Sequence, residues 1–297
     1  MIDIYIGIML MVGLAIVLAG VGLWIGRRGP RGVVIAMMIG VIAFMFLFSL
    51  VLLDSGWMVR VLPVSNVIVV GNWQLPAVGL LVGLAWGVLP RAVWRRLLVV
   101  VPLVAIGVWR TIGPLMGEVP RVTQAQWSEG VHLQSAFSTC GAAAAATLLR
   151  TAGIDATEAE MAELCLTREG GTTFHGLYRG LKLKTEGTPW RVEVVRGTVA
   201  ELAADSGAGA GAALLNVGLP RWGVPWGAAG SEPVDPRYER EWGWMPGYMH
   251  SIVLFGFEPQ EMIEVGDPAM GRERWSVSSL HTLWRGQGLR LVRRARR

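Results

Sequence analysis

Residues 134 to 153 read QSAFSTCGAAAAATLLRTAG, and this stretch decides the fold of the second half of the chain. The run from Gly141 to Thr151 is rich in helix formers and ends near Gly153, a residue type typical of the position after a helix. It predicts an α-helix directly after Cys140. A single cysteine is more often a small buried side chain. At a helix N-terminus, however, the macrodipole and unpaired N–H groups stabilise a thiolate.

Helices and strands follow in a recognisable order. Thr157 with Glu160 forms a capping-box pattern that predicts a second helix to about Leu166, and a third is predicted over residues 174 to 183. Five apolar, β-branched stretches then predict strands: residues 191 to 195, 212 to 217, 251 to 257, 262 to 265 and 289 to 292. Helices before strands indicate an α+β fold, in which a helical lobe packs on an antiparallel sheet.

Three further side chains complete a possible reaction centre around Cys140. His250 opens an apolar strand, and Asp267 follows another strand 17 residues later. At corresponding positions of adjacent antiparallel strands, such a carboxylate can orient an imidazole. Gln134 stands six residues before Cys140, where its amide can donate to an oxyanion together with the Cys140 backbone N–H. Nucleophile, base, orienting group and oxyanion donor are therefore all represented.

At these residues the chain resembles papain-like cysteine peptidases, and more closely the double-glycine-leader (bacteriocin-processing) peptidase family found at the front of bacteriocin-exporting ABC transporters. The resemblance covers roughly residues 131 to 292. Besides the four side chains above, it includes GGTTFHGL at 170 to 177, DPAMG at 267 to 271 and LHTLWRGQGLRLV at 280 to 292. It implies that Cys140 is the nucleophile, His250 the general base, Asp267 its orienting residue and Gln134 the oxyanion residue.

The chain also departs from that family's pattern. Members commonly carry an acidic residue before the nucleophile, whereas this chain has Thr139. The segment from Leu219 to Met249 is long for the family and rich in tryptophan, which suggests a lid or substrate-binding loop, membrane-surface contact or structural packing. This sequence contains no Walker motif, and its apolar region precedes the peptidase-like part. The substrate of the family therefore does not carry over directly.

Composition and charge distinguish the first part of the chain from the rest. Of 297 residues, 53% are hydrophobic and 16% charged, with a mean hydropathy of +0.46. Up to Gly113 the only acidic residues are Asp3 and Asp54, against eight arginines, so the first part carries +6 and the remainder −1 of the net +5. The basic excess lies beside apolar runs, which favours a lipid bilayer and not nucleic acid as the partner.

Four apolar runs predict four membrane-spanning helices. The stretches 4 to 26, 32 to 53 and 71 to 90 approach or exceed the roughly 20 residues that a crossing needs. The fourth begins at Leu97 and runs 13 residues before Arg110. It spans the bilayer only if Trp109 and Arg110 lie at the interface, with the arginine snorkelling. The first run lacks the basic start of a cleavable signal peptide, so we expect it to remain as a helix.

Arginines set the predicted orientation. Six of the eight fall between spans one and two or between spans three and four: Arg27, Arg28, Arg31, Arg91, Arg95 and Arg96. The positive-inside rule makes that side cytoplasmic, so the second part of the chain faces the outside. We accordingly predict an integral, multi-pass protein of a bacterial inner or plasma membrane, with spans in residues 1–113, a connector in 114–130 and an extracytoplasmic peptidase domain in 131–297.

The remaining cysteine and histidines have simpler interpretations. Cys165 lies on the apolar side of the second predicted helix, which indicates a core position. His175 is expected to cap a helix or lie at the surface, with substrate binding as the alternative. His132 and His281 have no carboxylate or thiol at metal-ligand spacing, so the sequence predicts no metal and no cofactor.

The function that these patterns favour is a membrane-anchored cysteine peptidase. Its substrate would be a leader peptide or another peptide or protein near the membrane, with a separate transporter as a possible partner. Two alternatives stay open. One is a catalytically silent peptide-binding or scaffold domain, and the other is a non-proteolytic acyl transferase or amidase that uses the same triad.

Overall fold

The computed structural model describes residues 1–89, 92–123, 126–219 and 235–294. The chain divides into two compact units, Met1–Gly117 and Glu118–Arg297. The first unit is helical throughout its regular structure. Its elements are α1 (Ile2–Arg28), α2 (Arg31–Val51), α3 (Gly56–Val61), α4 (Val67–Val70), α5 (Gln74–Val88), α6 (Val93–Ile112) and a 3-10 turn (Gly113–Leu115).

Four helical segments of the first unit are long and apolar enough to cross a membrane: Ile2–Arg28, Arg31–Val51, Val67–Val88 and Val93–Leu115. The third of them, formed by α4 and α5, has 72% of its most apolar window buried, against 11 to 17% for the others. It is the central segment of this unit, whereas the other three expose apolar side chains outward. Such an apolar surface suits lipid better than water.

Small residues let α1 and α5 approach closely. Gly79, Gly83 and Gly87 recur every four residues on α5 and meet the backbone of α1. A Cβ at Gly83 would collide with the carbonyl oxygen of Ala19, and one at Gly87 would lie 2.6 Å from the carbonyl carbon of Gly26. Regularly spaced glycines of this kind are a common packing surface of membrane helices.

A polar cluster links three helical segments of the same unit. The guanidinium of Arg110 donates to Ser49 Oγ at 2.9 Å, and Gln74 Nε2 donates to the same oxygen at 2.9 Å. Asn72 Nδ2 in turn donates to the Arg110 carbonyl at 2.8 Å. The predicted fourth helix is present. Its arginine, expected to snorkel, is also bound inside the unit because a polar group among apolar helices is costly without a partner.

The second unit combines helices with antiparallel strands, which confirms the predicted α+β class. Its elements in chain order are β1 (Gln126–Ser128), β2 (Val131–Leu133), α7 (Cys140–Thr151), α8 (Glu158–Leu164), α9 (Phe174–Lys184), β3 (Trp190–Arg196), α10 (Val199–Gly207), β4 (Ala213–Val217), α11 (Arg237–Arg240), β5 (His250–Glu258), β6 (Met262–Asp267), β7 (Gly271–Ser276), α12 (Val277–Leu283) and β8 (Trp284–Arg293).

The three predicted helices around the cysteine are α7, α8 and α9. The predicted cap of α8 is also present, since Thr157 Oγ1 accepts the N–H of Glu160 at 3.1 Å. Five alanines of α7, Ala142 to Ala146, are completely buried. This compact helix packs on β5. The side chains at its first turn are thereby brought beside the start of that strand.

Six strands form one antiparallel sheet in the order β3-β8-β4-β5-β6-β7, and β1 pairs with β2 separately. Apolar residues of β4, β5 and β6, with Leu280 and Leu283 of α12, form a buried core on this sheet. The order of the strands in the sheet differs from their order in the chain, since the last strand, β8, lies between β3 and β4. This arrangement places β5 and β6 side by side near one edge.

Several elements were missed by the sequence analysis. In the second unit they are β1, β2, β7, α10, α11 and α12, and in the first unit they are the short helices α3 and α4. Helix α10 carried a readable signal, because Thr198 and Glu201 form a complete capping box at its start. Strand β7, which reads GRERWS, carries three consecutive charged residues and lacks the apolar run used to recognise the other strands.

Candidate active site

Cys140 is the first residue of α7, which begins one residue earlier than predicted, and the structure leaves it partly exposed. Gly141 permits this placement. A Cβ there would lie 3.0 Å from Thr172 Cβ and 3.1 Å from Leu177 Cδ2, so a larger residue would push the helix start away from its neighbours. The thiol thus stands at the positive end of a 12-residue helix, where a thiolate is favoured.

His250 and Asp267 lie together on neighbouring strands. His250 Nε2 and Asp267 Oδ1 are 2.8 Å apart, and Asp267 Oδ1 also accepts the N–H of Ala269 at 2.7 Å. Strand β5 pairs with β6 so that Val253 faces Gly266. Continuing that register places Asp267 opposite Ile252, so His250 is its diagonal neighbour on the same face and not its direct partner.

The turn after Asp267 depends on a glycine. Asp267 and Gly271 are the last pair between β6 and β7, and Gly271 has a φ of +105°. L side chains rarely adopt that backbone conformation, whereas glycine does so without strain. The tight turn brings the Ala269 N–H onto the carboxylate. Asp267, only 5% exposed, is therefore held from two sides.

Cys140 and His250 are close enough that each changes the pKa of the other. Burial raises the pKa of the Cys140 thiol, but hydrogen bonding and charge from His250, with backbone hydrogen bonds from Ser251 and Gly141, outweigh burial and lower it below its ordinary value. Burial lowers the pKa of His250, whereas the hydrogen bonds and charges of Asp267 and Cys140 raise it to about 10. Both shifts favour the charged forms, thiolate and imidazolium.

Gln134 lies in the loop that leads to Cys140, with its side chain turned onto that loop. Its Nε2 donates to the carbonyl of Ala136 at 3.0 Å and, more weakly, to that of Phe137 at 3.4 Å. Its backbone N–H donates to the carbonyl of Pro268 at 2.8 Å. The loop and the turn after Asp267 are thus joined, while both amide hydrogens of Gln134 are used within the loop.

Aromatic side chains lie beside the site, and one of them, Trp244, belongs to the predicted Trp-rich segment. Trp244 meets the ring of His250 edge to face with centroids 6.0 Å apart. Phe137 and Tyr248 form a similar contact at 6.4 Å. They join the loop before the cysteine to the segment before the histidine. Trp244 and Tyr248 belong to the predicted Trp-rich segment, of which residues 220–234, including Trp222 and Trp226, lie outside the described residues.

Of two further predictions, the core position of Cys165 is confirmed and the surface or capping position of His175 is wrong. Cys165 is completely buried against Gly180, and burial raises the pKa of its thiol to about 12, in keeping with a core residue. His175 is only 4% exposed in the first turn of α9. It is neither at the surface nor the cap, because Thr173 Oγ1 accepts the Gly176 N–H and fills that role.

His132 and His281 lie on β2 and α12. His132 is buried on β2, where its Nδ1 is 2.9 Å from the Leu133 carbonyl, whereas His281 is exposed on α12. Within the described ranges, no three His, Cys, Asp or Glu side chains converge as metal ligands would. The chemistry that the site offers is that of a thiolate beside an imidazolium.

Comparisons with known proteins give short matches in sequence. A protein of Methanothermobacter thermautotrophicus, described only as uncharacterized, is 53% identical over 49 residues, which are 16% of this chain and 34% of that protein. A second, from Methanothermobacter marburgensis, is 54% identical over 49 residues with the same shares. The chain therefore spans about a third of the length of the curated relatives it matches. No family model matches.

Solved structures give longer matches. The peptidase domain of Streptococcus ComA, a bifunctional ABC transporter of a quorum-sensing pathway, is 18% identical over 55% of this chain and 96% of that domain, with a TM-score of 0.39. A double-glycine-motif protease from an AMS/PCAT transporter, in complex with the leader peptide, is 13% identical over 58% and 94%, with a TM-score of 0.39. A C39-like peptidase from Bacillus anthracis is 17% identical over 60% and 96%, with a TM-score of 0.40.

Proposed function

We propose that this protein is a membrane-anchored cysteine peptidase with Cys140 as nucleophile, His250 as general base and acid, and Asp267 as the residue that orients His250. The observation that carries the proposal is the 2.8 Å contact between His250 Nε2 and Asp267 Oδ1, on an imidazole whose pKa and that of the thiol at the start of α7 shift each other. This arrangement is the one that nucleophilic acyl transfer requires.

The reaction follows from the charges of the pair. The Cys140 thiolate attacks the carbonyl carbon of a peptide bond and forms a tetrahedral intermediate. When the C–N bond breaks, the imidazolium of His250 gives its proton to the departing amine and becomes neutral. Neutral His250 then takes a proton from water as that water attacks the thioester, which releases the acid and restores the thiolate–imidazolium pair.

Gln134 is the proposed oxyanion donor, together with the N–H of Cys140. The N–H groups of a first helical turn have no partner inside the helix and point toward incoming negative charge. Gln134 Nε2 must give up one of its two bonds within the loop. The bond to the Phe137 carbonyl, at 3.4 Å, is the weaker of the two and is the one that we expect to be exchanged for the oxyanion.

We further propose that residues 1–113 anchor the enzyme in the bilayer, that residues 114–130 connect it, and that residues 131–297 form the peptidase domain on the extracytoplasmic side. Six of eight arginines in the first part support this orientation, because they fall in the two loops that the positive-inside rule places in the cytoplasm. The proposed substrate is a leader peptide or another peptide that reaches this enzyme near the membrane.

The decisive experiment treats the purified full-length protein with a thiol-directed peptide electrophile and identifies the modified residue by mass spectrometry. We expect covalent modification at Cys140 that is lost in His250→Ala. Absence of labelling would favour a silent peptide-binding domain. Incubation of a peptide library with and without added amines then separates hydrolysis from acyl transfer, because a transferase forms new amides whereas a peptidase forms free carboxylates.

A further inference from the structure

Glu158 is a completely buried acidic residue that the proposed reaction does not use. Among the described residues only two acidic side chains are buried, Asp267 at 5% exposure and Glu158 at 0%. Burial of a carboxyl group is costly unless specific partners compensate for lost hydration. The first of the two orients His250, so the second also requires a reason for its position.

The contacts of Glu158 lead to the loop that carries Gln134. Glu158 is the first residue of α8, and its Oε1 accepts the backbone N–H of Ser135 at 2.8 Å. Its Oε2 is buried and has no hydrogen-bond partner among the described residues. The hydrogen bond to Ser135 is therefore what the carboxyl group contributes in this part of the chain.

The hydrogen bond from Ser135 to Glu158 is the second of two that hold the backbone at Gln134. The N–H of Gln134 is bound by the Pro268 carbonyl at 2.8 Å, and the next N–H along the chain is the one bound by Glu158. Further on, Thr139 Oγ1 donates to the Ala136 carbonyl at 2.8 Å and closes the loop before the cysteine. Two successive amides are thus fixed, which determines the direction in which the Gln134 side chain leaves the backbone.

We propose that Glu158 is a positioning residue for the oxyanion site: by holding the Ser135 N–H it fixes the backbone from which Gln134 donates. This inference rests on the proposed function and extends it to a residue that does not itself touch the substrate. It requires that loss of the carboxyl group impairs reactions that pass through an oxyanion and leaves the thiolate unchanged. A purely structural role would impair both.

Two small probes of the full-length, detergent-solubilised protein separate oxyanion stabilisation from the reactivity of the thiolate. Acylation of Cys140 by p-nitrophenyl acetate passes through a tetrahedral oxyanion and releases p-nitrophenolate. Alkylation of Cys140 by iodoacetamide displaces iodide at a saturated carbon and forms no oxyanion. The Cys140→Ala variant gives the background of both reactions. Buried Cys165 is expected to react with neither probe.

The variants are matched in size. Glu158→Met fills the same space without an acceptor, and we expect about a tenfold loss of acylation rate with alkylation changed less than about twofold. Glu158→Gln keeps an acceptor for Ser135, and we expect it to retain most of the acylation rate. In a Gln134→Ala background, Glu158→Met should add less than about twofold, because the two residues act through one donor.

Each other outcome overturns the inference. Losses that multiply in the double variant would show that Glu158 acts independently of Gln134. An equal fall in alkylation, or failure of both Glu158 variants to fold, would assign Glu158 a structural role only. If the wild-type protein is acylated no faster than Cys140→Ala, the proposed function itself fails, which is a separate result from any of these.

Discussion

His250 Nε2 lies 2.8 Å from Asp267 Oδ1 although the two residues occupy diagonal positions on β5 and β6. The bond therefore fixes the orientation of the imidazole. Replacing Asp267 with asparagine keeps the shape but removes the negative charge. A charge-assisted hydrogen bond contributes about 1.5–3 kcal/mol, so we expect kcat/KM for a cleavable peptide to fall about 10- to 100-fold in Asp267→Asn.

The same variant should lower the pKa of His250. Asp267 raises the pKa of His250 in the wild-type protein, so its removal should bring that pKa down, as followed by NMR of the imidazole. Glu273→Gln, on the neighbouring strand β7, is a suitable control. An unchanged rate and histidine titration in Asp267→Asn would remove Asp267 from the reaction centre.

The two cysteines should respond in opposite ways to substitution. Cys140→Ala removes the proposed nucleophile from a partly exposed helix start, so we expect complete loss of cleavage with an unchanged circular dichroism spectrum. Cys165→Ala leaves a small cavity in the core between α8 and α9, and we expect normal cleavage with about 1 kcal/mol lower stability. Turnover that persists in purified Cys140→Ala would end its assignment as nucleophile.

The pH dependence follows from the two shifted groups. Because the pKa of Cys140 is lowered, the thiolate should persist below the ordinary range of about 8.5 for a cysteine. Because the pKa of His250 is raised to about 10, the proton for the leaving amine should be lost only as pH rises through that value. We expect kcat/KM to be constant through neutral pH, to fall in acid as the thiolate is protonated, and to fall again near pH 10.

His250→Ala provides the test of this charge pair. Without the imidazolium, burial of Cys140 is no longer outweighed, so the acid limb of iodoacetamide alkylation should move to higher pH. An acid limb that stays in place would mean that the thiolate is stabilised by the helix start and backbone N–H groups alone.

Helix packing in the first unit can be tested with two glycines of different surroundings. Gly83→Ala places a methyl group on the carbonyl of Ala19, so α1 and α5 must separate, and we expect about 1–3 kcal/mol of destabilisation. Gly20→Ala on α1 meets no atom within 4 Å and should be neutral or slightly stabilising because alanine favours helix. Thermal unfolding in detergent compares the two, and equal melting temperatures would contradict the close packing.

The predicted orientation can be tested through Cys140. An impermeant maleimide applied to intact cells should label Cys140 if the peptidase domain is extracytoplasmic, with Cys140→Ala as the control. Labelling that appears only after lysis would place the domain in the cytoplasm. That result would leave the proposed chemistry intact and make cytoplasmic leader peptides the favoured substrates.

The sequence by itself determined the features that depend on near neighbours. Alanine-rich composition located α7 and put Cys140 at its start, a threonine cap located α8, and apolar runs located the four long apolar helices. Local patterns carry this information because helix propensity, capping and span length act over a few residues to one segment. The spacing of Gly79, Gly83 and Gly87 was a similar signal that went unread.

Only the tertiary structure decided the contacts between distant segments. The diagonal offset of His250 and Asp267 depends on the register of β5 with β6, and a strand register cannot be read from either strand alone. The burial of Glu158 and the two bonds of Gln134 depend on how the loop before α7 meets α8 and the turn after β6. Such contacts are set by packing among segments far apart in the chain, which local propensity does not record.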